Sequence, residues 1–191
     1  HGRQNLNVTG DYVYQSKNAQ WCNEAVSVEN SKYCNIVSLP TTKECYDYTE
    51  WGANSELCYE CLTAGEGAYR VKFSNFCWPN VRELEYCMLC RKSSNCFGCV
   101  AVKDKEYCIL NRQYSKDEYE SIKSKVKSRM SEMGEYGEFF PISMSPFAYN
   151  ETTAHERFPL AKEEALARGY QWRDPPVRNY SIGGDVFQCH N

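Results

Sequence analysis

Eleven of the twelve cysteines fall inside an array built from copies of one small unit, and that repetition constrains the fold more than any other feature of the chain. The unit is a polar pair followed by Cys or Leu among alternating aromatic or apolar residues. Its clearest copies are Leu84-Glu85-Tyr86-Cys87, Ser94-Asn95-Cys96-Phe97 and Lys105-Glu106-Tyr107-Cys108. Looser copies recur upstream at intervals of roughly ten to twenty residues. They include Gln20-Trp21-Cys22, Lys32-Tyr33-Cys34, Glu44-Cys45-Tyr46, Glu56-Leu57-Cys58 and Asn75-Phe76-Cys77.

Between the copies lie short strand-like runs, Ala25 to Val28, Asn35 to Ser38 and Tyr69 to Phe73, separated by Asn, Ser, Gly, Lys and Glu. Such strands are too short and too evenly punctuated for a sandwich. The physical solution favoured over an irregular α+β fold with knuckles is a mainly β fold, a parallel, right-handed β-solenoid whose coils pair backbone groups with the coils above and below. Two units per coil predict about twenty residues a turn. Cys, Val, Ile, Leu and Phe are expected inside, Asn and Ser at the bends, and Thr63 to Gly67 as a bulging loop. A repeat domain is expected over 1–112, and a helical cap, Phe/Pro-rich strap and extended tail over 113–191.

The composition changes after Asn111. Ser115 and Glu118 form a capping box, and Tyr119, Ile122, Val126, Met130 and Met133 recur at helical spacing before Gly134. This predicts a helix from about Lys116 to Met133 that caps the solenoid, since an uncovered edge invites aggregation. Its other face carries Lys123, Lys125, Lys127 and Arg129, either a phosphate-binding strip or a solvated face beside Glu118, Glu120 and Glu132. Glu138 to Asn150, EFFPISMSPFAYN, reads as an ordered strap. Leu160 to Arg168 reads as a second short helix whose cap position, Ala161, lacks a side-chain oxygen. Arg173 to Asn191, with Pro175-Pro176 and Gly183-Gly184, reads as extended.

The run FGCVAVKDKEYCILNRQYSKDEY and the later GEFFPISMSPFAYNETTAHERFPLAKEEALARGYQW resemble a family of proteins from uncultivated small-celled bacteria. The resemblance covers roughly Asp11 to Trp172 and is most specific in its second half. It implies an Asn/Cys/Tyr repeat region, the helix with its Phe-Pro strap, and often a zinc-ribbon tail. It carries no activity and no catalytic residue. The chain departs from the pattern in lacking the paired cysteines of that tail, of which Cys189 and His190 would be the first remnant, and in placing Ala161 where members often have Thr.

Three Cys-x-x-Cys pairs, Cys58/Cys61, Cys87/Cys90 and Cys96/Cys99, are the main chemical signal. Cys87, Cys90, Cys96 and Cys99 together supply four thiolates of the kind that hold Zn2+ tetrahedrally. The rival reading is a ladder of inward cysteines acting as small hydrophobes, with no cofactor. No thioredoxin-like context surrounds any pair, and His155 has no nucleophile or Gly-x-Ser-x-Gly elbow to serve. A carbohydrate site would draw on Asp47, Glu50, Glu56 and Glu60 with rings from Tyr46, Tyr48, Trp51 and Tyr59, which read equally well as surface and ladder residues.

A formal charge of -3 argues against a broadly basic nucleic-acid surface, and no apolar run is long enough to span a bilayer. The sequons at Asn7, Asn150 and Asn179 and the even cysteine count allow a secreted disulfide protein. Cysteines in register with apolar positions favour reduced thiols in a cytoplasmic one. The reading favoured is a noncatalytic binding or scaffolding protein that engages a protein partner or a second copy. The alternatives are a zinc-binding nucleic-acid-associated module and a carbohydrate-active or carbohydrate-binding β-helix.

Overall fold

The computed structural model describes residues 4–174. The expected extended tail, the third sequon, Cys189 and His190 therefore lie outside the described residues. The described chain forms two compact units, one running to Phe140 and the other beginning at Pro141.

The first unit is a parallel β-solenoid of about eight turns. Its strands are two to seven residues long and run from Gly10–Tyr14 to Arg112–Gln113. Successive coils pair in register, as in Val13 with Ala25, Tyr46 with Tyr59, and Cys96 with Cys108. These partners lie 12 or 13 residues apart, and the longest step, Val28 to Thr42, is 14. One unit, not two, therefore makes a coil.

The reason is a backbone period of three. Tyr12, Gln15, Asn18, Trp21, Glu24, Ser27 and Asn30 all have φ near +50°. Each directly precedes a buried residue, from Val13 and Ser16 through to Ser31. A left-handed residue at every third position bends an extended chain at each corner, so four sides close in twelve residues. Each such bend costs a non-glycine residue roughly 1–2 kcal/mol, a cost the coil-to-coil ladders offset. Asn does occupy several bends, as expected, but Tyr, Trp, Glu and Leu occupy them as well.

The interior is correspondingly narrow. It holds Val, Ala, Cys, one Leu (Leu84) and one Tyr (Tyr48). Larger apolar residues expected inside are displaced: Ile36 and Phe76 are exposed, while Phe73, Phe97 and Ile109 lie on the outer flank. Serines expected at bends point inward instead, because their hydroxyls do two jobs there. Ser31 Oγ donates to Glu29 O at 2.7 Å and accepts the amide of Cys45 on the next coil at 3.0 Å. Ser16, Ser74 and Ser93 repeat the arrangement. All eleven described cysteines likewise donate to the carbonyl two residues back.

Longer coils insert their extra residues at corners, including Leu39–Thr41 and Trp78–Asn80. Thr63 to Gly67 is not the expected bulge, since Thr63, Ala64 and Gly65 are buried at the end of the strand Tyr59–Gly65. Glycine is required there by close approach: a Cβ on Gly65 would sit 2.4 Å from Gly52 O.

Helix α1 spans Lys116–Glu132 with its capping box formed: Glu118 N donates to Ser115 Oγ and Ser115 N to Glu118 Oε2. Its Tyr119, Ile122, Val126 and Met130 pack against Phe73, Tyr86, Phe97 and Ile109. The surface it covers is thus the flank of the last four coils. Beyond the last coil, Arg112–Gln113 turns back antiparallel onto Cys108 and Ile109. Asn111 clamps the backbone N–H and C=O of Val100 at 2.8 and 2.9 Å.

The second unit contains α2 (Thr153–Arg157) and α3 (Lys162–Ala167). As anticipated, Ala161 gives α3 no side-chain cap, and Gly169 follows it at φ +82°. Tyr149 organises this unit, donating from its hydroxyl to Phe158 O at 2.6 Å and packing on Tyr170 at 4.6 Å.

Candidate functional site

The period of three explains the Cys-x-x-Cys spacing. Inward residues come at every third position, so two cysteines three apart occupy adjacent corners of one coil. Cys45, Cys58, Cys96 and Cys108 fall in one vertical column, Cys22, Cys34, Cys61, Cys87 and Cys99 in the next, and Cys77 with Cys90 in a third. All eleven are free thiols and all are buried.

The four predicted ligands are brought together by this stacking. Their thiols, with that of Cys77, face one another in the narrow interior, while each donates to a backbone carbonyl. Neighbouring thiols, and then burial, push Cys77, Cys87 and Cys96 far above the usual thiol range. Cys90 and Cys99 are held below it, because each faces two other thiols: Cys77 and Cys87 for Cys90, Cys87 and Cys96 for Cys99. Each sulfur also points at a carbonyl, as Cys90 does to Cys99 O at 3.4 Å. Among the described residues, no three His, Cys, Asp or Glu side chains form a group that could hold a metal ion.

The α1 interface encloses a charged centre that the sequence reading did not single out. Glu85 is 7% exposed and receives Lys123 and Lys127, each at 3.0 Å, with the Tyr136 hydroxyl at 3.1 Å. Burial pushes its carboxyl up, but hydrogen bonds and charge from Lys127 and Lys123 outweigh this and leave it below the ordinary value. The basic strip is thereby divided: Lys123 and Lys127 turn inward, whereas Lys125 and Arg129 stay exposed. The available signal was a Glu between Leu84 and Tyr86 in a repeat unit, with lysines four apart on a helix.

The flank beneath α1 continues over the earlier coils, where among the described residues several of its rings are exposed. One row runs in register through Gln20, Lys32, Tyr46, Tyr59, Lys72 and Glu85 to Phe97. The neighbouring row holds Trp21, Tyr33, Asp47 and Glu60 and then Phe73 and Tyr86. Trp21 is 69% exposed, Tyr33 52%, Tyr46 38% and Tyr59 36%. The carbohydrate candidates are redistributed by this register. Tyr48 is fully buried, its hydroxyl bonded to Ala64 O and Ser55 Oγ, so it cannot stack on a sugar. Asp47 and Glu60 share a shallow concavity with Thr49, Leu62 and Phe139. Glu50 accepts from Thr63 at 2.7 Å, and Glu56 sits on another side beside Lys43.

In the second unit, His155 is wedged edge-on between Tyr149 and Trp172, and its buried Nδ1 has no partner. No helix among the described residues is long and apolar enough to cross a membrane. No family model, curated protein or solved structure matches the chain.

Proposed function

We propose that this is a noncatalytic binding or scaffolding protein that docks protein segments along the flank continuing from α1. The observation that carries this reading is the unbroken pair of rows described above. On the last four coils they seat an amphipathic helix, and on the earlier coils they present Trp21, Tyr33, Tyr46 and Tyr59 to solvent. Aromatic residues of this kind anchor interfaces by burying large rigid area. The segment that fits has the character of α1, an apolar stripe with lysines beside it to meet Asp47 and Glu60.

The test is titration of a peptide of residues 115–134 into the protein, followed by sedimentation of the protein alone over a concentration range. Saturable binding or dimerisation, lost in the double variant Trp21→Ser/Tyr33→Ser while the fold persists, is expected. A monomer at every concentration that ignores the peptide overturns the reading.

A second reading is a zinc-binding, nucleic-acid-associated module, favoured by Cys87, Cys90, Cys96 and Cys99 lying on consecutive coils and by exposed Lys125 and Arg129; it needs those thiols to move from their present positions, where no three could hold a metal. It requires one zinc per chain and salt-sensitive DNA or RNA binding. Metal-free protein without such binding removes it.

A further inference from the structure

Ten of the eleven described cysteines form five pairs stacked one coil apart. Cys96 and Cys108 are direct register partners. The others follow from registers beside them: Cys22 with Cys34, Cys45 with Cys58, Cys77 with Cys90, and Cys87 with Cys99. Within every pair the two thiols face one another, each donating to the carbonyl two residues back. Paired strands lie about 4.8 Å apart, inside the roughly 4.4–6.8 Å Cα separation that a disulfide tolerates. The in-coil pairs Cys58/Cys61, Cys87/Cys90 and Cys96/Cys99 sit on adjacent sides of one coil with their thiols also facing one another, and are the competing links. Cys61 is left over, since its column neighbours are Tyr48 and Ser74.

We propose that the solenoid interior is a thiol–disulfide exchange site of five coil-to-coil dithiols that takes disulfide oxidants and closes into staples between adjacent coils. One cysteine of a pair, as thiolate, attacks a sulfur of the oxidant, forming a mixed disulfide and releasing one thiolate. The second cysteine then attacks the protein-side sulfur and releases the other. The protein dithiol loses two electrons, the oxidant disulfide gains them, and the two thiol protons pass to the released thiolates. Because burial limits access, the reaction starts at the last coil. There Cys108 lines an end concavity with Val102, Lys105 and Asn111. The pair Cys45–Cys58, enclosed by coils on both sides, closes late. This inference is independent of the flank-docking reading.

The experiment uses the full chain carrying Cys189→Ser, purified reduced, freed of reductant and incubated with oxidised glutathione, a small-molecule disulfide. At intervals the remaining thiols are alkylated under denaturing conditions and the links mapped by mass spectrometry of peptides. Thiols are expected to disappear in twos, with Cys96–Cys108 first and Cys61 alkylated throughout. The melting temperature should rise by about 4 °C or more as links accumulate. Cys108→Ser should remove the first link and spare the rest; where that variant fails to fold, the mapped order in the parent chain decides alone. Unchanged thiol counts, stable glutathione adducts without internal links, or links within Cys-x-x-Cys pairs overturn the proposal. So does protection of Cys87, Cys90, Cys96 and Cys99 that ends only on adding a chelator.

Discussion

Leu84 and Glu85 are consecutive residues of one short strand, Arg82–Glu85, and they face two differently built regions. Leu84 is fully buried in a channel of small side chains where each position is stacked under a near-equivalent one. Glu85 enters an interface of large rings and paired charges that occurs once, where α1 crosses the flank. The channel gains stability by repetition, because each coil buries the apolar edge of the next and satisfies its amides. The interface gains it from one convergent contact and is correspondingly easier to remove whole.

That difference predicts how each region fails. Leu84→Ala should cost about 2–5 kcal/mol, because no larger side chain in adjacent coils can collapse into the gap. In denaturant melts it should lower the midpoint of strand and α1 signals together. Glu85→Ala should cost about 3 kcal/mol by leaving Lys123 and Lys127 half-buried without a counter-charge. Hydrogen exchange should then show α1 deprotected while the amides of Val71 and Val81 stay slow. Loss of both regions together in this variant would mean that they are a single cooperative unit.

The same contrast explains what could be read in the sequence. The parallel solenoid, the α1 boundaries and the uncapped start of α3 all came from local signals: repeated Cys, a capping box, and an Ala where an oxygen belongs. The coil length did not, because αL geometry at Tyr12, Trp21 and Tyr33 is not what those residue types favour. Only the stacking of coils makes it affordable. Inward Ser16 and Ser31 were hidden for a related reason, since a serine two residues after a free carbonyl looks like any bend serine until the next coil supplies its amide. Glu85 was hidden because its partners are 38 and 42 residues away, so no window of sequence contains the site.

Acid should separate the two regions. The folded-state value of Glu85 lies below its unfolded value of roughly 4.3, so its contribution is complete above that pH. It is lost as pH falls through the lower, folded value. Lys127 works on the other side: its ammonium, raised overall by Tyr136 and Glu85 despite burial, contributes below an unfolded value near 10.4 and is lost as pH rises through its higher folded value. Helix signal from α1 should therefore fall below about pH 4 before the strand signal does. Glu85→Gln should abolish that early step, and an unchanged acid transition in this variant would assign it elsewhere.

The interior should answer to single hydrogen-bonding groups. Ser74 Oγ donates to Lys72 O at 2.7 Å and accepts the amide of Cys87 at 3.1 Å, so Ser74→Ala strands both and should cost about 1–3 kcal/mol. Ser74→Cys, which restores the donor in the form used at eleven neighbouring positions, should recover part of this. Equal losses in the two variants would show that volume, not hydrogen bonding, selects the inward residue.

Tyr119 marks where the two building rules meet. It is fully buried between α1 and the solenoid, stacks edge-on with Tyr107 at 5.6 Å and lies under Lys123 at 5.4 Å, yet its hydroxyl has no partner. Burial raises its phenol well above the ordinary value, so it stays protonated and brings a donor into the interface with nothing to receive it. Removing an unsatisfied group while keeping the ring returns its desolvation cost, so Tyr119→Phe should be neutral or stabilising by up to about 1 kcal/mol. The ring carries the packing and the hydroxyl none of it; a loss above 1 kcal/mol in the same denaturant melts would reveal an unseen acceptor at the seam of flank and helix.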